Sequence, residues 1–142
     1  MSVVTFKDLN VNTYGELPEI GVCAPSFTLV KSDLGEISTS ELKGKVIILN
    51  IFPSIDTGVC AASVRRFNKE AAGLTNTVVL AVSADLPFAS GRFCTTEGIE
   101  NVIPVSVLRN PEFAKDYGIL MIDGPLKGLL ARAVVVINSE GN

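Results

Sequence analysis

The chain has 142 residues, of which 47% are hydrophobic and 19% charged, and its net charge is −3. This composition is typical of a globular protein, and the length fits one domain over 1–142. The mild negative charge, with no basic cluster larger than Arg65-Arg66, argues against nucleic-acid binding. The absence of histidine excludes Ser-His and Cys-His dyads and histidine metal sites.

The sequence also shows no segment typical of membrane insertion or export. No apolar run approaches the roughly 18–20 residues that span a bilayer, and the N-terminal residues do not resemble a secretory signal. We therefore expect a cytoplasmic protein, in which cysteines are usually reduced unless they are catalytic. The three cysteines, Cys23, Cys60 and Cys94, have no Cys-x-x-Cys spacing, so a structural zinc site is not expected.

The predicted elements begin with a small hairpin around Asp8-Leu9-Asn10. A strand at 26–30, a turn at 33–35 and a capped helical turn at 38–42 follow. Strands then alternate with helices: strands at 46–52, 77–83, 105–107 and 131–137, and helices from 59 onward, at 87–96 and at 111–117. This alternation predicts a three-layer α/β sandwich with parallel strands in its middle.

Cys60 is the best candidate for a reactive residue. The run at 46–52 is apolar and β-branched, as in a strand buried on both faces, and helical spacing begins at Val59. Asp56 and Thr57 are plausible caps for that helix. A thiol in the first helical turn lies at the positive end of the helix dipole, which favours the reactive thiolate. The alternative is a small buried hydrophobe, which is common for a free cysteine.

Two neighbours of Cys60 favour the reactive interpretation. The Thr57 hydroxyl, three residues earlier, could turn back toward the sulfur across one helical turn. Pro53 removes a backbone donor and stiffens the loop, which would help to shield a reactive sulfur.

Here the chain resembles a known family. Pro53, Thr57 and Cys60 match the Pro-x-x-x-Thr-x-x-Cys signature of the peroxiredoxins. The longer string at 50–60 resembles the bacterial thiol peroxidase branch, an atypical two-cysteine group. The stretches 83–94 and 123–133 agree with the same branch, so the resemblance covers nearly the whole chain. It implies the thioredoxin-like form of the α/β/α sandwich, with a mixed central sheet and an N-terminal β-hairpin.

The resemblance also bears on the end of the chain. Residues 138–142, Asn-Ser-Glu-Gly-Asn, are typical of a hairpin turn, but no strand follows them. The thiol peroxidase pattern continues with a strand and a C-terminal helix, and we expect both to be missing from this chain. Such a truncation would leave an open sheet edge and an uncovered apolar face.

A peroxidase needs donors aimed at the peroxide oxygens, and Arg132 is the candidate. It interrupts an apolar run at 129–137, so its charge would lie on an otherwise core-like strand, where unpaired charges are rare. The alternative is an arginine near the start of a strand that reaches solvent. The family pattern assigns this position to the arginine that contacts the reactive sulfur.

Cys94 is the candidate for a second, resolving thiol that would condense with oxidised Cys60. Glycines and paired threonines at 90–98 predict a weak helix, because each glycine costs on the order of 1 kcal/mol relative to alanine. Since a disulfide requires Cα atoms within about 7 Å, cysteines on separate helices rarely pair without unwinding. The alternative for Cys94 is a core-facing helical cysteine.

The resemblance implies a cytoplasmic, thiol-dependent peroxidase that reduces hydrogen peroxide and organic hydroperoxides. Cys60 would be the peroxidatic thiolate and Cys94 would resolve it in the same chain, while Thr57, Pro53 and Arg132 shape the pocket. It further implies thioredoxin as reductant, a homodimer, and no metal or organic cofactor. Cys23 matches no functional position of the family and is interpreted as an incidental thiol.

Two other function classes stay open. A redox-sensing module of the same fold would use a Cys60–Cys94 pair as a signal without efficient turnover. The joint presence of Thr57 and Arg132 argues against it, because a sensor disulfide requires neither. A non-catalytic structural domain is the third possibility, and the string at 53–60 argues against that one.

Overall fold

The computed structural model describes residues 3–6, 9–14, 21, 23–42, 44–54, 58–71, 76–97, 99, 102–110, 112–122 and 127–141. The strands in these ranges are β1 (Val3–Phe6), β2 (Leu9–Tyr14), β3 (Thr28–Lys31), β4 (Glu36–Ser38), β5 (Val46–Ile51), β6 (Thr77–Ser83), β7 (Ile103–Ser106), β8 (Leu120–Met121) and β9 (Ala133–Ile137). The helices are a 3₁₀ helix (Thr39–Leu42), α1 (Gly58–Ala71), α2 (Pro87–Glu97) and α3 (Glu112–Asp116).

The larger sheet has the strand order β4-β3-β7-β6-β5-β9. β5, β6 and β7 run parallel, whereas β3 and β9 flank them in antiparallel orientation. The sheet is therefore mixed, with parallel strands in its middle, as predicted. Because parallel strands end at the same edge, the chain leaves β5, β6 and β7 on one side of the sheet, where α/β proteins place their sites.

The smaller sheet joins the N-terminal hairpin to β8 in the order β1-β2-β8. The hairpin was predicted and is confirmed, with Phe6 opposite Leu9. The strands β4 and β8 were not predicted, because strands of three and two residues are too short to show an alternating pattern. β4 pairs with β3 through a tight turn in which Leu34 has φ 70°.

Two hydrophobic cores cover the two faces of the larger sheet. The α3-side core includes an aromatic group, Phe27, Phe113 and Tyr117, packed with Leu49 and Leu80. The α1/α2-side core consists of Phe52, Val64, Val79, Ala81, Ile99 and Val102, with Phe67, Phe93 and Cys94 packed against it. The alternation of buried side chains along β5 and β6 divides them between these cores, which gives the predicted three layers.

β9 departs from its predicted bounds and burial. The chain at 130–131 turns to β8 instead, since Leu130 bridges Leu120 and the Ala131 amide donates to the Ile119 carbonyl at 2.7 Å. β9 lies at the edge of the sheet, and its Val134 and Val136 side chains are 54% and 59% exposed. Among the described helices, none is both long enough and apolar enough to cross a bilayer.

Candidate functional site

Cys60 lies in the first turn of α1, directly beyond the edge where β5 ends. The first turn of this helix contains no acidic side chain to offset the positive end of its dipole. A thiolate at this position would therefore be favoured by the helix terminus. Thr57 lies outside the described residues, as does the side chain of Cys60.

Pro53 lies where the chain leaves the sheet. The amide of Phe52 donates to the carbonyl of Val82 at 3.1 Å, so the sheet pairing extends one residue beyond β5. Phe52 and Pro53 are both buried. The chain that leads to Cys60 thus starts from a buried position at the end of the sheet, and the stiffening role of Pro53 stays a prediction.

Arg132 lies at the same edge, but not in the environment that the sequence predicted. It is exposed and precedes β9, between the pairing of 130–131 with β8 and the pairing of Ala133 with Ile51. The expectation of a charge on a core-like strand was wrong, because β9 is an edge strand that buries one face poorly. The register nevertheless brings Arg132 beside the end of β5, where the chain continues to Pro53.

Cys94 lies on α2, in the same layer as α1. It is a free thiol, half-buried, and packs against the α1/α2-side core, as the core-facing alternative expects. Burial raises the pKa of the Cys94 thiol, so the neutral form is favoured in this conformation. Beside it, the Phe93 ring lies under the Arg65 guanidinium of α1, with 5.7 Å from Cζ to the ring centroid, which joins the two helices.

The glycine of α2 has a packing role as well. A Cβ at Gly91 would lie 3.0 Å from the Ser32 Cβ, so this position allows α2 to approach the β3–β4 turn closely. The same residue lowers the intrinsic stability of the helix that carries Cys94.

A polar group that the sequence did not identify lies at the same edge of the sheet. The Ser54 hydroxyl donates to Asp85 Oδ1 at 2.7 Å, and the Ser83 hydroxyl donates to Asp85 Oδ2 at 2.8 Å. These residues occur in strings that matched the family, but no pattern indicated a contact across 31 positions. Only the parallel pairing of β5 with β6 brings them together.

Cys23 lies far from this edge. It is exposed and lines a cavity of about 400 Å³ together with Gly44 and Lys45, which precede β5. A strand of six residues separates that end from Pro53, a distance of about 20 Å. Among the residues that the structure describes, no group of three or more His, Cys, Asp or Glu side chains could hold a metal ion.

Comparisons with known proteins agree with this architecture. Residues 19–142 match the redoxin family. The chain is 53% identical over 141 residues to the thiol peroxidase of Corynebacterium glutamicum, covering 99% of this chain and 85% of that protein. It is 54% identical over 142 residues to the thiol peroxidase of Mycobacterium tuberculosis (strain ATCC 25618 / H37Rv), covering 100% of this chain and 85% of that one.

A solved structure supports the same assignment. The crystal structure of a peroxiredoxin-like protein from Aquifex aeolicus superposes with a TM-score of 0.92 at 39% identity, covering 98% of this chain and 81% of that one. The thioredoxin-like fold predicted from the sequence is thereby confirmed. The chain belongs to the redoxin family and, within it, to the thiol peroxidases, which are peroxidase enzymes.

Proposed function

We propose that the chain reduces hydrogen peroxide and organic hydroperoxides with Cys60 as the peroxidatic thiolate. The observation that carries this proposal is the position of Cys60 in the first turn of α1, beyond the end of β5, in a chain of the thiol peroxidase family. The helix terminus favours the thiolate, which is the nucleophilic form of cysteine.

In the first step, the thiolate sulfur attacks one peroxide oxygen. An S–O bond forms, the O–O bond breaks, and the leaving oxygen takes a proton to become water or an alcohol. Arg132, at the same edge of the sheet, would stabilise the negative charge that develops on the leaving oxygen. Pro53 and Thr57 would shape the pocket around the sulfur.

In the second step, the Cys94 thiol attacks the sulfenic sulfur, an S–S bond forms within the chain, and water leaves. The two cysteines lie on adjacent helices of one layer, and Gly91 and the paired threonines lower the intrinsic helix propensity of α2. Opening of α2 around Cys94 would bring the sulfurs within bonding distance. A dithiol protein, thioredoxin by family resemblance, would return two electrons and restore both thiols.

We also propose a homodimer and a cytoplasmic location. Both rest on the family resemblance, and the second agrees with a chain whose proposed chemistry needs a reducing compartment.

Peroxide consumption in the presence of thioredoxin and its reductase tests the proposal. Cys60→Ser should abolish turnover, because a serine hydroxyl is not ionised at neutral pH and cannot act as a nucleophile without a base. Cys94→Ser should consume about one equivalent and then stop, with overoxidised Cys60. Cys23→Ser is the matched control and should cycle normally, since Cys23 lies at the opposite edge of the sheet.

Two results would contradict the proposal. The first is substantial turnover in Cys60→Ser. The second is peptide mapping of oxidised protein that finds a bridge between chains, or one to Cys23, instead of Cys60–Cys94. Comparing hydrogen peroxide with a bulky alkyl hydroperoxide in the same assay identifies the preferred substrate.

A further inference from the structure

The chain segments that lead to the two cysteines start from neighbouring strands. Ser54 follows β5 and precedes Cys60 by six residues, whereas Asp85 follows β6 and precedes the start of α2 by two. Because β5 and β6 are parallel and adjacent, both segments leave the sheet at the same edge. A contact between Ser54 and Asp85 therefore joins the start of the chain from β5 to Cys60, called here the Cys60 segment, to the residues that precede α2, the helix that carries Cys94.

The Asp85 carboxylate accepts this hydrogen bond together with a second one from another serine. Each oxygen of Asp85 accepts from a different serine, Ser54 at 2.7 Å and Ser83 at 2.8 Å. Hydrogen bonds to an ionised acceptor at such distances are among the stronger ones in proteins. The Asp85 amide also donates to the Ser83 hydroxyl at 3.2 Å, which fixes the orientation of the carboxylate.

The network rests on a rigid base. Ser83 is the last residue of β6 and is only 1% exposed. Its carbonyl accepts from the Val107 amide at 3.0 Å, which ties it to the chain that follows β7. Asp85 is thus fixed to the sheet through Ser83, and it holds Ser54, which follows β5, through its other carboxylate oxygen.

We propose that Asp85 is a positioning residue for Cys60, acting through Ser54. This inference rests on the proposed function of Cys60, and it assigns a role to Asp85 and Ser54, which take no part in the two steps proposed above. The Asp85 carboxylate holds Ser54 beside the end of β6 and thereby fixes the position from which the chain continues to Cys60. The anchor precedes α2, so the helix is free to open around Cys94 while the Cys60 segment stays in place.

The proposal predicts an unequal effect on two rates. Without the hydrogen bonds, the Cys60 segment loses its fixed starting point, and the thiolate meets the peroxide less often in the reactive orientation. A small misplacement of this kind lowers reaction rates by on the order of tenfold to 100-fold. Disulfide formation should not become slower, because it requires mobility rather than a fixed orientation.

Single-turnover reactions with hydrogen peroxide, quenched at short times and analysed by mass spectrometry, separate the two rates. Asp85→Asn and Ser54→Ala should each lower the rate of Cys60 oxidation by on the order of tenfold, with disulfide formation as fast as in the wild type or faster. The double variant should be no slower than the worse single variant, since both remove the same contact. Asp33→Asn and Ser38→Ala make the same side-chain changes at exposed hydrogen bonds in the β3–β4 region, and as controls they should leave both rates unchanged.

Either of two kinetic outcomes overturns the proposal: Cys60 oxidation within about twofold of the wild type in both folded single variants, or oxidation and disulfide formation falling in equal proportion. Amide exchange in the reduced protein needs no turnover, and Asp85→Asn should speed it at 84–90. If Cys60→Ser consumes peroxide as the wild type does, the proposed function fails, whereas unchanged exchange in Asp85→Asn refutes the anchor alone.

Discussion

The two faces of the larger sheet are packed differently, and we assign them different roles: one stabilises the fold and the other undergoes the proposed redox change. On the α3 side, the rings of Phe27, Phe113 and Tyr117 lie in mutual contact, with centroids 4.7–6.3 Å apart, and the Tyr117 hydroxyl donates to the Pro25 carbonyl at 2.6 Å. On the α1/α2 side, the described core has one fully buried ring, Phe52, and the partly buried Phe67, Phe93 and Cys94 pack against it. Three buried rings in mutual contact stabilise the fold, whereas partly buried side chains at the margin of a core are released at lower cost when a helix opens.

The largest expected effect compares one substitution on both faces. Phe113→Ala should lower the free energy of unfolding by about 3–5 kcal/mol, because the ring is almost fully buried and leaves a cavity. Phe93→Ala, its counterpart on α2, should cost less than about half as much, because that ring is only partly buried. Urea denaturation of both variants measures this, and equal losses would contradict the distinction between the faces.

Arg132→Lys should lower the rate of peroxide reduction by about 100-fold, although the positive charge is kept. Lysine offers one flexible ammonium, whereas the guanidinium can hold the thiolate and a peroxide oxygen in fixed geometry. The rate should be measured at a pH where Cys60 is fully ionised. The matched control is Arg109→Lys, an exposed arginine paired with Glu36 at 3.6 Å in a different part of the molecule, which should retain the wild-type rate. Near-normal rates in Arg132→Lys would show that Arg132 acts only through its positive charge and that the geometry of the guanidinium is not required.

A smaller effect concerns the two free thiols that the structure describes. In reduced protein at about pH 8, iodoacetamide should modify exposed Cys23 roughly ten times faster than Cys94, since only the thiolate reacts. Burial raises the pKa of Cys94, so its neutral form favours the folded state. The contribution of this pKa shift to the free energy of unfolding is fully present below the ordinary thiol pKa and is lost as the pH rises through the raised value. Equal modification of both cysteines at about pH 8 would show that Cys94 is not protected.

Most of the fold could be predicted because its strands are long enough to show a pattern. β6 was placed at 77–83 without error, and the alternation of strands with helices gave the parallel centre. β8 was missed because two residues carry no period, and its pairing with 130–131 in turn shifted the start of β9. The environment of Arg132 was mispredicted because β9 starts after it and is an edge strand with one face largely exposed, which an apolar run does not reveal.

The site divides in a similar way. Cys60, Cys94 and Arg132 were proposed from local signals, a thiol at the start of a predicted helix, a thiol in a weak helix and a charge within an apolar run, and their roles stay predictions. Asp85 left none, because its partner Ser54 lies 31 positions away and the contact depends on strand order. Local chemistry is visible in a sequence, whereas the support of that chemistry by tertiary hydrogen bonds is not.

Hydrogen exchange on the reduced and the oxidised protein tests most directly whether the α1/α2 side carries the redox change. On oxidation, amides at 88–97 should lose protection, because the proposed mechanism opens α2, whose glycine and threonines lower its intrinsic stability, to bring Cys94 to Cys60. Amides at 28–31 and 112–117, beside the aromatic rings, should keep their protection in both forms. Equal protection of 88–97 in the two forms, or a loss spread over both faces, would contradict the division of tasks between them.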